Sequence, residues 1–319
     1  MRKILKRGLL FLLILILLLA GCSAWAKKAV VSKRGSIKGR SRVFADIAAE
    51  KENTLDVLVM GDSESFTSIS PMQLWRQHGI AAYDCGQSGQ KIQETYYMLK
   101  TALKTQEPRL VLLEANLMFR NPGRLENLQS AISEAMLYHF PIFRYHNIWK
   151  TMFDSSATLP DEYKGFTIRN SVKSYDGDEN YMKETSELKK IPEFVDIYLK
   201  KIIEICQGKD IPLMLYSAPS PVNYNTAKHN AIQDYADKHN LPYLDLNYKT
   251  KELKINWKED SYDKGDHLNV FGAEKVTAYM GEYLAEKYDL PDHRGEAGYE
   301  EWDRLAEMYR QEFLAVKGK

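Results

Sequence analysis

Between residues 55 and 288 the chain alternates short apolar runs with longer stretches whose apolar residues recur at helical spacing. The runs cover residues 55–60, 80–84, 110–113, 213–216 and 242–246. Helical patterns fall at 90–105, marked by Ile92, Tyr96, Leu99 and Leu103, and at 194–208, marked by Phe194, Ile197, Leu199, Ile202 and Ile205. Two more fall at 223–239 and 270–288. Strand and helix in strict turn predict an α/β three-layer sandwich, a mostly parallel sheet with helices on both faces. Sites in such sheets open beyond the carboxyl ends of the strands. The residues just after each strand are therefore the ones to inspect.

The N-terminus obeys a different rule. Arg2, Lys3, Lys6 and Arg7 precede an almost unbroken run of Leu, Ile and Phe from Gly8 to Ala20. That is the length of a signal-peptide core and short for a full span. Leu19-Ala20-Gly21-Cys22 follows and resembles a bacterial lipobox, with Cys22 as the lipidated residue. Residues 1–22 are thus expected to be a lipoprotein signal peptide or an uncleaved signal anchor. Either way, the leading positive charges place the remainder outside the cytoplasmic membrane, anchored to it. Residues 23–53 read as a tether, 54–290 as the main domain, 120–190 as an insertion rich in aromatic and basic residues, and 291–319 as a helical tail. The insertion is either a lid over the sheet or a packed helical pair followed by a loop.

With 44 Lys+Arg against 43 Asp+Glu, the charge gives no reason to expect nucleic acid as a partner. Cys85 and Cys206 are expected as two buried free thiols rather than a disulfide. With neither CxxC nor HxxxH spacing, no metal is expected, and no cofactor.

Four short segments carry the chemistry. Gly61-Asp62-Ser63-Glu64-Ser65 ends the first strand, where a strand-to-helix turn can present Ser63 outward. Gly89 follows the second strand and Asn116 the third; a backbone N–H at one and an amide at the other can donate to an oxyanion. Asp263-Lys264-Gly265-Asp266-His267-Leu268-Asn269 precedes the last core helix and offers His267 as a base. Taken singly, each has an ordinary reading as a cap, turn or loop residue.

In that order, Ser63, Gly89, Asn116 and His267 resemble the four residues that name the SGNH (GDSL-like) hydrolases. Gly61-Asp62-Ser63, Gly86-Gln87-Ser88-Gly89, Glu114-Ala115-Asn116 and the stretch from Asp263 to His267 resemble its blocks, over roughly residues 55–288. The resemblance implies a flavodoxin-like sheet and Ser63 as nucleophile with His267 as base. It also implies an oxyanion hole made by Ser63, Gly89 and Asn116. Asp266-His267-Leu268-Asn269, Gly272-Ala273-Glu274-Lys275 and the aromatic insertion also look like membrane-anchored members that acylate teichoic acids or exopolysaccharides. Implied partners are an acylated glycan or teichoic acid and a membrane-bound acyltransferase as acyl donor.

Two departures stand out. The family's acid lies three residues before the His, where this chain has Lys264. Asp263 or Asp266 must then orient the imidazole, and Asp263 is nearer the usual offset. Leu117 replaces the Asp that usually trails Asn116. The function expected is a serine esterase or O-acyltransferase. The alternative is a non-catalytic carbohydrate-binding protein that keeps the fold.

Overall fold

Strands β1 (Val57–Met60), β2 (Ala82–Asp84), β3 (Leu110–Glu114), β4 (Leu213–Ser217) and β5 (Tyr243–Asp245) form one sheet in the order β2-β1-β3-β4-β5. Every pairing is parallel, with Val57 opposite both Ala82 and Leu110, and Val111 opposite Leu213. The computed structural model describes residues 2–33, 37–120, 122–152 and 163–318.

The apolar runs are continuous because helices cover both faces of the sheet. Leu58, Met60, Val111, Leu113 and Leu215 point to one side, onto Met98 and Leu99 of α5 (Ile92–Ala102) and Leu199 and Ile202 of α8 (Glu193–Gln207). Val57, Val59, Leu110, Leu112 and Met214 point to the other, onto Leu74 of α4 (Pro71–His78) and Val276 and Met280 of α10 (Val270–Lys287). The expected α/β architecture is therefore present, with each expected strand and helix in place to within a few residues.

The first 53 residues depart from expectation. Helix α1 (Arg2–Lys33) runs without a break from the apolar stretch through Cys22, which is exposed, and onto the domain, where Ser23, Ala26 and Val30 are buried. Helix α2 (Ser41–Ala49) buries Phe44, Ala45 and Ile47 in the main core. The stretch 23–53 is thus not a free tether: the domain covers Ala26, Val30, Ile37, Phe44, Ala45 and Ile47 of it, while Trp25 and Val31 stay exposed. Residues 34–36 of it lie outside the described ones.

The insertion carries α6 (Arg124–His139), α7 (Pro141–Arg144) and a 3-10 turn, Ile148–Met152. Residues 153–162 lie outside the description. From Tyr163 onward the segment laces across the sheet end. Lys164 accepts the Asp84 N–H at 2.9 Å through its carbonyl oxygen, while its buried ammonium pairs with Glu50 at 2.8 Å. The expected helical tail is α11 (Glu300–Lys317), whose Trp302 packs on Trp75 at 5.3 Å between ring centroids. Helices α3 (Ser63–Phe66) and α9 (Thr226–His239) complete the set.

Candidate active site

The strand order reverses direction between β1 and β3, and sites in such sheets lie beyond the carboxyl ends at that point. Ser63 follows β1 and Asn116 follows β3, so both flank it. Asp62 caps α3, its carboxylate accepting the Glu64 N–H at 2.9 Å. Ser63 is the first residue of that helical turn, and its N–H therefore has no partner within the helix. The turn is tightly backed. A Cβ on Gly61 would lie 2.7 Å from the Ser65 Cβ, and one on Gly86 would lie 2.7 Å from the Asp62 carbonyl oxygen. Glycine is needed at both places because backbone and side chain approach too closely for anything larger.

His267 arrives from the loop between β5 and α10. Ser63 Oγ and His267 Nε2 are 2.8 Å apart, and His267 Nδ1 lies 2.7 Å from Asp263 Oδ2. A carboxylate only accepts, so Nδ1 carries the proton and Nε2 is left to accept from the Ser63 hydroxyl. The second Asp263 oxygen accepts the His267 backbone N–H at 2.7 Å. Asp266 stands farther off, at 3.6 Å from Nδ1, and its other oxygen takes the Asn223 amide. Of the two candidate acids, the structure brings Asp263 to the imidazole.

The loop reaches this geometry through two consecutive left-handed residues, Lys264 at φ +69 and Gly265 at φ +88. Together they absorb the residue by which the acid is displaced. A Cβ on Gly265 would meet the Tyr175 ring at 2.7 Å. An antiparallel bridge between Ser261 and Leu268 closes the base of the loop, and Lys173 donates to the Ser261 carbonyl at 3.0 Å. The later part of the insertion therefore braces the His loop.

Gly89 sits in a turn closed by the Gln90 N–H to the Gln87 carbonyl at 3.0 Å, at φ +63. Arg40, between α1 and α2, donates to the Ser88 carbonyl at 2.7 Å. That carbonyl belongs to the same peptide unit as the Gly89 N–H. Asn116 is held at both ends. Its N–H donates to Glu114 Oε2 at 3.0 Å, and its side-chain oxygen accepts from Lys228 Nζ at 2.8 Å.

Charge is concentrated around these groups. Asp62, Glu64 and Glu114 are all buried. Burial, reinforced by Asp62, holds the Glu64 and Glu114 carboxyls well above the usual range. Arg120 pairs with Asp62, and Lys228 lies near Glu114 and Glu64. Asn223 donates to Glu64 Oε1 at 2.8 Å and also to Asp266, tying the nucleophile turn to the His loop. Glu64, Asp266 and His267 bring ligand-type atoms within 4.8 Å of one another. Those atoms are engaged with Asn223, Asp263 and Ser63, so the cluster reads as a hydrogen-bond network.

Of the residues expected from sequence, the structure brings Ser63, His267 and Asp263 into contact, with Gly89 and Asn116 in the turns after β2 and β3; sequence reasoning missed Glu114, Arg120, Asn223 and Lys228. Only Glu114 carried a signal, as an acid ending an otherwise apolar strand. Cys85 and Cys206 are free and buried, and burial pushes the Cys206 thiol up to about 12.

Fold and site together are a five-stranded parallel sheet with Ser63, His267 and Asp263 in hydrogen-bond contact beyond the carboxyl end of β1. Solved structures of similar form include a GDSL-like lipase from Bacteroides thetaiotaomicron, 13% identical over 78% of this chain and 98% of that one, at a TM-score of 0.41. A lipase/acylhydrolase from Enterococcus faecalis is 15% identical over 75% and 99%, at 0.39. AlinE4, an SGNH-hydrolase family esterase, is 16% identical over 74% and 96%, at 0.32. No protein-family model and no curated protein matches the chain. Any assignment of function therefore rests on the geometry of this chain's own side chains.

Proposed function

We propose that the protein is a serine esterase or O-acyltransferase acting on an acyl ester, an acetyl ester in the first instance, of a cell-envelope polysaccharide or teichoic acid. One observation carries the reading: the continuous relay from Ser63 Oγ to His267 Nε2 at 2.8 Å and from His267 Nδ1 to Asp263 at 2.7 Å. A serine hydroxyl is a weak nucleophile until a base takes its proton. Here the base is in contact, and its tautomer is fixed by an acid.

In the reaction, Ser63 Oγ attacks the ester carbonyl as His267 Nε2 takes the hydroxyl proton. The tetrahedral oxyanion is held by the N–H groups of Ser63 and Gly89 and by the Asn116 amide. His267 then returns the proton to the leaving alkoxide as the ester C–O bond breaks, leaving an acyl group on Ser63. Water or a glycan hydroxyl, deprotonated by His267, takes the acyl group and frees the serine. Asp263 keeps the imidazole oriented and stabilises its charged form.

The polysaccharide or teichoic acid acceptor draws on the N-terminus. Helix α1 contains an apolar window of mean hydropathy 2.7, long enough to cross a membrane. An anchor there, or a lipid on the exposed Cys22, keeps the domain at the membrane surface, beside envelope glycans and any membrane-bound acyl donor. The non-catalytic reading drew on the displaced acid, and it loses that argument with Asp263 seated on His267.

The test is turnover of p-nitrophenyl acetate together with labelling by a fluorophosphonate. Wild-type protein is expected to turn over and to be labelled at Ser63, and Ser63→Ala to do neither. A Ser63→Ala variant with full activity would overturn the assignment. Mass analysis of a glycan acceptor after reaction separates transfer from hydrolysis.

A further inference from the structure

We infer that Lys228 is a positioning residue for the oxyanion hole, fixing the side-chain amide of Asn116 with its NH2 group turned toward the reacting carbonyl. This rests on the serine-enzyme reading above and extends it to a residue in the first turn of α9.

An asparagine amide is nearly symmetric in shape, and its two ends differ only in whether they donate or accept. Left alone beside a crevice, it can present either. A lysine ammonium has three donors and no acceptor. The Asn116 atom that faces Lys228 Nζ at 2.8 Å must therefore be the carbonyl oxygen. With that oxygen occupied, Nδ2 is directed to the opposite side. The Asn116 backbone is pinned at the same time by Glu114 Oε2 at 3.0 Å. Main chain and side chain are thus both set before substrate arrives.

Lys228 is itself constrained. Its ammonium also donates to the Asn223 carbonyl oxygen and lies 5.3 Å from the centre of the Phe119 ring. Asn225 caps α9 by accepting the Lys228 N–H at 3.1 Å, which sets where the side chain starts. Burial lowers the pKa of the Lys228 ammonium from its ordinary value, and the neighbouring Glu114 and Glu64 oppose that shift. A donor that is already aimed needs no reorganisation when charge develops on the substrate oxygen, and this is where oxyanion donors gain their effect.

Because Lys228 acts through Asn116, the two side chains must not contribute independently. The experiment is a double-mutant cycle with Asn116→Ala, Lys228→Met and the pair, read as kcat and KM for p-nitrophenyl acetate, with Ser63→Ala in the same assay. Asn116→Ala is expected to lower kcat about 10²–10³-fold and Lys228→Met about 10–10²-fold, each with KM nearly unchanged. The double variant should be no slower than Asn116→Ala alone, to within about threefold. Lys228→Arg, which keeps a cationic donor, should recover part of the loss. Losses that multiply in the double variant, or full kcat in Lys228→Met, overturn the inference while loss of activity in Ser63→Ala leaves the enzyme reading standing. Full activity in Ser63→Ala removes both. Melting temperatures of all variants identify any loss caused by unfolding, and for a Lys228→Met variant that unfolds, the kcat of Lys228→Arg and its coupling to Asn116→Ala decide.

Discussion

Asp263 grips His267 at two points, Oδ2 on the ring Nδ1 at 2.7 Å and Oδ1 on the backbone N–H at 2.7 Å. One carboxylate therefore fixes both the ring's tautomer and the position of the residue that carries it. Asp266, next to the histidine in sequence, reaches only 3.6 Å and is committed to Asn223.

The two acids should separate cleanly by mutation. Asp263→Asn is expected to lower kcat for p-nitrophenyl acetate about 10³–10⁴-fold, because the amide offers a donor where the imidazole needs an acceptor, while Asp266→Asn stays within about tenfold. The reverse ranking would move the acid to Asp266.

Gly265 tests the bend that makes this grip possible. Its φ of +88 disfavours any side chain, and a Cβ would also strike the Tyr175 ring and Pro221. Gly265→Ala should cost about 1–3 kcal/mol of stability through backbone strain. The strain falls between Asp263 and His267, so activity should drop along with the melting temperature. An active variant with an unchanged melting point would show that the loop tolerates other paths.

The N-terminal segment gives a prediction about where the folded unit starts. Burial of Phe44 and Ile47 contributes roughly 3–6 kcal/mol together. Glu50 neutralises Lys164, whose side chain is only 4% exposed, and removing one partner of such a pair is strongly destabilising. A chain begun at residue 54 should therefore be poorly soluble or melt far below one begun at residue 37. The shorter chain also loses the Arg40 donor on the Ser88 carbonyl. Equal melting temperatures for the two would show that α2 is dispensable.

How much of this was legible before the structure varied by element. The sheet and its flanking helices could be read because burial on both faces forces continuous apolar strands, and one-sided burial forces helical spacing. Ser63 and His267 followed from the order Ser63, Gly89, Asn116, His267 and its resemblance to the SGNH blocks, since each alone reads as an ordinary cap or loop residue. The usual offset favoured Asp263 over Asp266 only slightly, since the choice turns on Lys264 adopting a left-handed conformation that its side chain does not advertise. Lys228 and Asn223 carry no local pattern, and tertiary folding alone brings them to Asn116 and Asp266. Helix α2 is short and follows a Lys-rich stretch, so it looked like a lead-in. Its burial depends on contacts with distant helices that local periodicity does not report.

Asp84 makes a prediction about pH. It is fully buried, its Oδ1 accepting from the Gly86 N–H at 2.7 Å and the Ser65 hydroxyl at 3.0 Å, and its Oδ2 has no partner among the described residues. Burial raises its carboxyl from the ordinary value of 3.8 to about 8. The folded protein therefore holds a proton here that the unfolded chain releases above its own lower pKa. In that interval folding binds a proton, so stability falls as pH rises, by at most about 1.4 kcal/mol per unit from this group, until the folded pKa is passed. Asp84→Asn keeps the acceptor at Oδ1 and cannot ionise. Its melting temperature should fall less than that of the wild type between about pH 5 and pH 8. The wild type's advantage at low pH, if any, should shrink or reverse across that range. Parallel melting profiles for the two proteins would mean that Asp84 stays ionised in the fold, with the Gly86 and Ser65 donors compensating for its burial.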